Sequence, residues 1–194
     1  MKLRFRKFKP TDAKRCSQIA MKNFKEKMLV DSGGYMTKEL EGPWTKYLKP
    51  LNLIWMSIKP KSYLRVIEDE DGKVVGIGRY TLDKYHAEVG LMFVDGELQG
   101  KGVGKALLEH ILNEINKRKI GYVDLYSILF SAGFYSMFGF AHLHDLDEIR
   151  EGIVDKGGKS RDLIDKDAAE KFRVPSLGEP VGARYAYYMY RILE

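Results

Sequence analysis

Gly100, Gly102 and Gly104 stand at alternate positions, interleaved with Lys101 and Val103 and followed by Lys105. Such a run turns the backbone sharply and exposes consecutive N–H groups. Where it opens a helix, those groups form a ready anion site. Lys101 and Lys105 add positive charge, so a diphosphate is the fitting guest. Spacing excludes two familiar phosphate loops. A Walker A loop needs a glycine where Gln99 stands, and Ser or Thr where Ala106 stands. A dinucleotide fingerprint starting at Gly100 would end on Lys105, and one starting at Gly102 would end on Leu107. The pattern that remains is Gln99-x-x-Gly102-x-Gly104.

Other reactive groups are sparse. Cys16 is the single cysteine, so an internal disulfide and a cysteine-based zinc site are both excluded. His142 and His144 share a strand face but lack a third ligand at suitable spacing, and no metal is expected. His86 and His110 are isolated. The net charge of +6 is uneven: residues 1–64 hold 15 Lys/Arg against 5 Asp/Glu. A solvated lysine-rich surface and a face for an anionic partner both fit that surplus. No motif points to nucleic acid. No apolar run approaches the ~18 residues that span a bilayer, so no membrane partner is expected. Met1 to Lys7 alternates charge with apolar residues and carries no signal-peptide core. With one cysteine, the reducing cytoplasm is the expected location.

Elements must position the loop. Leu3 to Phe8 alternates like a half-buried strand. Thr11 or Asp12 can cap a helix whose stripe is Ile19, Met21, Phe24 and Met28, and Asp31-Ser32-Gly33-Gly34 stops it. Pro43, Pro50 and Pro60 divide the next stretch into short helices and loops, in which Trp44, Tyr47, Leu48 and Trp55 call for burial. Tyr63–Ile67 and Val74–Thr81 form a hairpin about an Asp71-Gly72 turn, with Gly76 and Gly78 allowing close packing or a bend. His86–Val94 is a strand, and the glycine loop joins it to a helix bearing Leu107, Ile111 and Ile115. Tyr122–Tyr126 is a strand, Ser131–Met137 a short helix, and Phe140–Leu146 a strand. A charged excursion at about 147–180, with a helix near 162–172, precedes a tyrosine-rich strand at 184–193. The whole, residues 1–194, reads as one mixed α/β domain.

Gln99-x-x-Gly102-x-Gly104 together with Phe134-Tyr135-Ser136-Met137-Phe138-Gly139-Phe140 resembles the GNAT superfamily of acetyl-CoA-dependent N-acetyltransferases. The strong match runs from about Ala87 to Phe140. The resemblance implies a mostly antiparallel, partly splayed sheet of about six to seven strands flanked by helices. It implies acetyl-CoA as co-substrate and a primary amine of a small molecule, peptide or protein as acceptor. The pantetheine arm would bond to backbone at Met92, Phe93 and Val94, and the pyrophosphate would sit on the N–H groups of Gly100, Lys101, Gly102, Val103, Gly104 and Lys105. An N–H near Phe93 or Val94 would polarise the thioester carbonyl.

An alkyl ammonium has a pKa near ~10, so a base must remove its proton. Glu88 stands eleven residues before Gln99, where some members of the family carry their base. A surface carboxylate at a strand start is the alternative for Glu88, and Glu97 is the weaker candidate. Tyr135 is the leading candidate for the acid, its hydroxyl near the departing sulfur; the alternative is a buried tyrosine that anchors its helix. The chain departs from the family where an asparagine often binds the cofactor arm seven residues before this tyrosine. Ile128 stands there, and Ser127 or Ser131 is the substitute. Another position for the family's base holds Val123, with Asp124 on the opposite face. Cys16 stands in no reactive motif, so direct attack in a ternary complex is expected. The other reading is a non-catalytic acyl-CoA sensor or scaffold. The 147–180 excursion is read as a lid or as an element of a homodimer.

Overall fold

The computed structural model describes residues 1–28, 42, 45–83, 86–118, 120–127, 129–142 and 187–193. Trp44, Ile128, His144 and the 147–180 excursion lie outside them. Contacts group the chain into two compact units: Met1–Leu82 with Val89–Arg118, and Asp83–Glu88 with Lys119–Glu194.

In the first unit, β1 (Arg4–Lys7) pairs antiparallel with β2 (Ser62–Glu68), and β2 with β3 (Val74–Leu82). The β2–β3 register shifts at Ile67/Glu68, beside the hairpin turn. β4 (His86–Val94), which belongs to this unit from Val89 onward, lies next to β3, and the Asp95 N–H reaches the Val75 carbonyl at 2.8 Å. α1 (Ala13–Asn23) and α2 (Pro50–Ile58) pack against each other. α3 (Val103–Asn116) lies on β3. Gly78 makes that contact close: a Cβ there would stand 2.6 Å from Ile111 Cδ1 and 3.2 Å from Leu107 Cδ1. Leu107, Leu108, Ile111 and Ile115 of α3 are fully buried, and so are Val66 and Ile77, a cross-strand pair that strand alternation turns to the sheet face opposite Gly78.

In the second unit, β5 (Tyr122–Ser127) and β6 (Ala141–His142) both pair antiparallel with β7 (Tyr187–Ile192), in the order β5-β7-β6. α4 (Leu129–Ser136) connects β5 to β6. Seven strands are thus present among the described residues, in agreement with the sequence reading.

Two details differ from expectation. Asp12 does not cap α1. Its carboxylate accepts from the Lys9 N–H at 2.7 Å and from Arg6 Nη1 at 2.7 Å, closing the 3-10 turn Pro10–Asp12 instead. Trp55 and Tyr47, expected to seek burial, are 57% and 36% exposed, while Leu48 is fully buried as expected. The burial of α2 goes instead to Leu53 and Met56, one turn face away.

Candidate functional site

The glycine loop takes the shape its composition demands. Gly100 (φ +75°) and Gly102 (φ +81°) occupy the left-handed region, where a side chain is strained. Space is open around both: a Cβ at either would meet nothing within 4 Å. Gly102 is the residue before α3, and no side chain caps that helix. The first amide to bond back into the helix is Ala106, which donates to the Gly102 carbonyl at 3.0 Å. The N–H groups of Val103, Gly104 and Lys105 therefore have no partner within the helix. Lys101 is exposed. Lys105 is exposed as well and stands 3.8 Å from Glu109, a weak surface pair that leaves its ammonium in solvent. Partial positive charge at the helix start and two exposed lysines thus flank an uncapped loop, an arrangement with the chemistry to receive a phosphate-bearing ligand.

Gln99 has an internal role. Its Nε2 donates to Asn23 Oδ1 at 2.5 Å, and Asn23 Nδ2 donates to the Ile19 and Val94 carbonyls at 2.9 Å each. The loop is thereby tied to α1 and to the end of β4. Asn23 went unnoticed in the sequence, although a buried polar residue on the apolar face of an amphipathic helix was the available signal. Arg15 adds a second tie, pairing with Asp95 and donating to the Val74 carbonyl at 3.1 Å.

Along β4, Ala87, Val89 and Leu91 are buried while Glu88 and Met92 are half-buried. Strand alternation places Glu88, Gly90 and Met92 on one face. The alternation breaks at the end: Met92 and Phe93 are both half-buried, and Val94 is buried. β3 approaches closely here, since a Cβ on Gly76 would lie 3.2 Å from the Phe93 carbonyl oxygen.

In the second unit, Tyr135 lies in the last turn of α4 and is 8% exposed. Its ring meets Phe134 edge-on at 5.1 Å and Phe140 at 5.9 Å. The Phe140 N–H donates to the Tyr135 carbonyl at 3.3 Å and the Gly139 N–H to the Ser136 carbonyl at 3.0 Å, with Gly139 at φ +77°. This is a Schellman stop, in which the apolar contact across the turn is the Tyr135–Phe140 ring pair. The phenylalanine-and-glycine pattern after Tyr135 thus fixes where its side chain stands. Among the described residues the Tyr135 hydroxyl meets no hydrogen-bond partner. Burial raises its pKa above the usual tyrosine value, so it stays protonated at neutral pH.

Ser127 is buried at the end of β5, and its Oγ lies 3.0 Å from Ser131 Oγ. Two further polar groups were not singled out as site candidates. His86, two residues before Glu88, stacks on Tyr122 at 5.4 Å, and its buried Nδ1 meets no partner. Burial lowers its pKa, against the opposing charges of Asp83 and Glu88. Asp124 is a carboxylate 8% exposed in mid-strand. No cluster of metal-ligating side chains occurs among the described residues.

The decisive comparison is with protein families. The family model described as the acetyltransferase (GNAT) domain matches residues 34–155, well over half of the chain. The chain belongs to the GNAT acetyltransferase family. Solved GNAT structures share its fold. The PaiA N-acetyltransferase of Thermoplasma acidophilum, a complex with coenzyme A, superposes with a TM-score of 0.67 at 13% identity over 100% of both chains. Ard1 of Thermoplasma volcanium gives 0.61 at 18% identity, over 100% of this chain and 99% of that one. In sequence, this GNAT chain is 34% identical over 74 residues to GCN5-related N-acetyltransferase 2, chloroplastic, of Arabidopsis thaliana, covering 38% of this chain and 29% of that protein. It is 33% identical over 73 residues to histone acetyltransferase TAP1 of Glycine max, covering 37% and 32%. The match thus spans about a third of the length of these curated relatives.

Proposed function

We propose that this GNAT chain transfers an acetyl group from acetyl-CoA to a primary amine of a small molecule, peptide or protein, by direct attack in a ternary complex. The observation that supports this most is the uncapped entrance to α3, with open space around two left-handed glycines. The pyrophosphate of acetyl-CoA would lie on the N–H groups from Gly100 to Lys105, of which that of Lys101 also donates to the Leu98 carbonyl at 3.3 Å. The pantetheine arm would follow the backbone of Met92, Phe93 and Val94, and Ser127 would offer it a hydroxyl.

In the reaction, Glu88 takes a proton from the acceptor ammonium, directly or through water. The freed amine nitrogen then forms a bond to the thioester carbon. An N–H at Phe93 or Val94 bonds to the oxygen as negative charge develops on it. The carbon–sulfur bond breaks, the nitrogen gives up its second proton to solvent, and the Tyr135 hydroxyl donates a hydrogen bond to the departing thiolate. Because the phenol's pKa is raised, hydrogen bonding rather than complete proton transfer is its favoured contribution. Cys16 is unsuited to carry an acyl group: it has no exposed surface, and burial pushes its thiol up to about 12. The lone buried thiol also suits the reducing cytoplasm as the working compartment.

Initial-rate kinetics test the reading. Acetyl-CoA and members of an amine panel are varied together while free thiol is followed. Intersecting lines are expected with an accepted amine, and parallel lines would contradict direct attack. Saturable binding of acetyl-CoA with no thiol release from any amine would leave an acyl-CoA-binding module.

A further inference from the structure

α2 inverts the usual pattern of a surface helix. Such a helix buries its apolar stripe and shows polar residues to water. Here the inner face, against α1 and β2, is Leu53 and Met56. The outer face is apolar too: Leu51 is 78% exposed, Trp55 57% and Ile58 65%, at i, i+4 and i+7. No charged residue lies within the helix. Its two polar side chains are turned to backbone, Asn52 Nδ2 donating to the Lys46 carbonyl and Ser57 Oγ to the Ile54 carbonyl. Charge is confined to both ends, where Lys46, Lys49, Lys59 and Lys61 are all exposed. Lys59 Nζ lies 5.7 Å from the Trp55 ring centre. From Gly42 to Ile67 the chain has no acidic residue.

We propose that this face of α2 docks peripherally on an anionic lipid surface. The ridge would enter the headgroup boundary with Leu51, Trp55 and Ile58, and the lysine collars would meet the anionic headgroups. An apolar ridge with an indole and basic flanks has the chemistry of an interfacial segment. Lysines held near such a surface each add attraction, which salt screens. A second copy of the chain fits poorly, because two ridges meeting face to face would bring eight ammonium groups together around a small apolar contact. This docking is distinct from crossing a membrane, for which no helix among the described residues is long and apolar enough, and it departs from the expectation of no membrane partner, which rested on spanning runs alone. It also accounts for part of the basic surplus of residues 1–64.

Flotation of the full chain with phosphatidylcholine vesicles, with and without phosphatidylglycerol, tests the proposal. Two variants accompany the wild type: Leu51→Ser with Trp55→Ser and Ile58→Ser, and Lys46, Lys49, Lys59 and Lys61 each changed to Gln. The replaced side chains are solvent-facing, and thermal melting checks that each variant is folded. The wild type is expected to float with the anionic vesicles only and to be released as sodium chloride is raised. Each variant is expected to lose about tenfold or more in partitioning. In a Trp44→Phe background, Trp55 emission shifts to the blue on binding. The proposal is overturned by a wild type that stays in solution, or by a serine variant that floats as well as the wild type. It is overturned equally if an acidic amphipathic peptide shifts Trp55 emission while anionic vesicles do not. Self-association of the wild type that the serine variant abolishes, without flotation, would assign the face to a second copy.

Discussion

At the scale of single residues, Glu88 and Tyr135 carry the proposed chemistry. Both came from spacing within a motif, and the structure adds physical content to each unequally. Glu88 stands on the half-buried face of β4, with His86 two residues away on that same face. Changing Glu88 to Gln is expected to lower kcat about 10²-fold, the scale of a general base, and to remove the acidic limb of the pH–rate profile. Unchanged kcat and an unchanged profile would assign Glu88 to the surface. Tyr135 to Phe keeps the ring pair with Phe140, so the Schellman stop survives and only the hydroxyl is lost. A fall in kcat of about tenfold with unchanged melting temperature is expected; a changed melting temperature with unchanged kcat would make Tyr135 an anchor alone. Cys16 to Ala is expected to leave the rate of thiol release within about twofold, since a buried thiol with a raised pKa supplies no thiolate.

At the scale of elements, the two left-handed glycines set the mouth of α3. Gly102→Val places a β-branched residue at φ +81°, which costs about 1–2 kcal/mol and leaves the core untouched. The expected result is a modest fall in melting temperature with a loss of about tenfold in CoA affinity. Gly78→Val acts the other way. Its side chain would press on Ile111 and Leu107, so about 1–3 kcal/mol of stability is lost through overpacking, away from the glycine loop. Denaturant titration of both variants beside CoA titration separates the two effects. These elements were largely legible in the sequence, because the glycine steps, the hairpin turn and the helix stripe are local signals. The Gln99–Asn23–Val94 tie was not, since it joins residues far apart in the chain. The inward turn of Asp12 was hidden for the same reason: a caps-like position gives no hint that Arg6 and the Lys9 N–H will claim its carboxylate. Trp55 misled because size and apolarity argue for burial, whereas helical phase gave that burial to Leu53 and Met56.

At the scale of the whole molecule, acid stability follows from groups whose pKa values the fold shifts. Burial lowers His86 and His110, the latter against the opposing charge of Glu114. A histidine whose folded pKa is lowered destabilises the fold as pH drops below its unfolded value of ~6.5. Glu68 is lowered chiefly by its hydrogen bond from Arg6, and also by Arg4. Burial pushes Asp12 up, but Arg6 and the Lys9 N–H outweigh it and bring the carboxyl below its usual range. Carboxylates of this kind contribute stability above an unfolded pKa of ~4 and lose it as pH falls through the folded values. Melting temperature is therefore expected to decline in two stages, a first below about pH 6.5 and a steeper one below about pH 4. Glu68→Gln is expected to flatten the second stage and to cost about 1–3 kcal/mol at neutral pH, by leaving Arg4 and Arg6 without that partner. A single-stage decline that Glu68→Gln does not alter would contradict this assignment.

In the proposed function, the glycine loop at the start of α3 receives the phosphate groups of acetyl-CoA. Calorimetric titration of CoA into the full chain and into its Gly102→Val variant tests it most directly. Saturable binding at a single site, weakened about tenfold in a variant that is still folded, is the predicted result. No saturable heat with the wild type, or equal affinity in the two proteins, would contradict it.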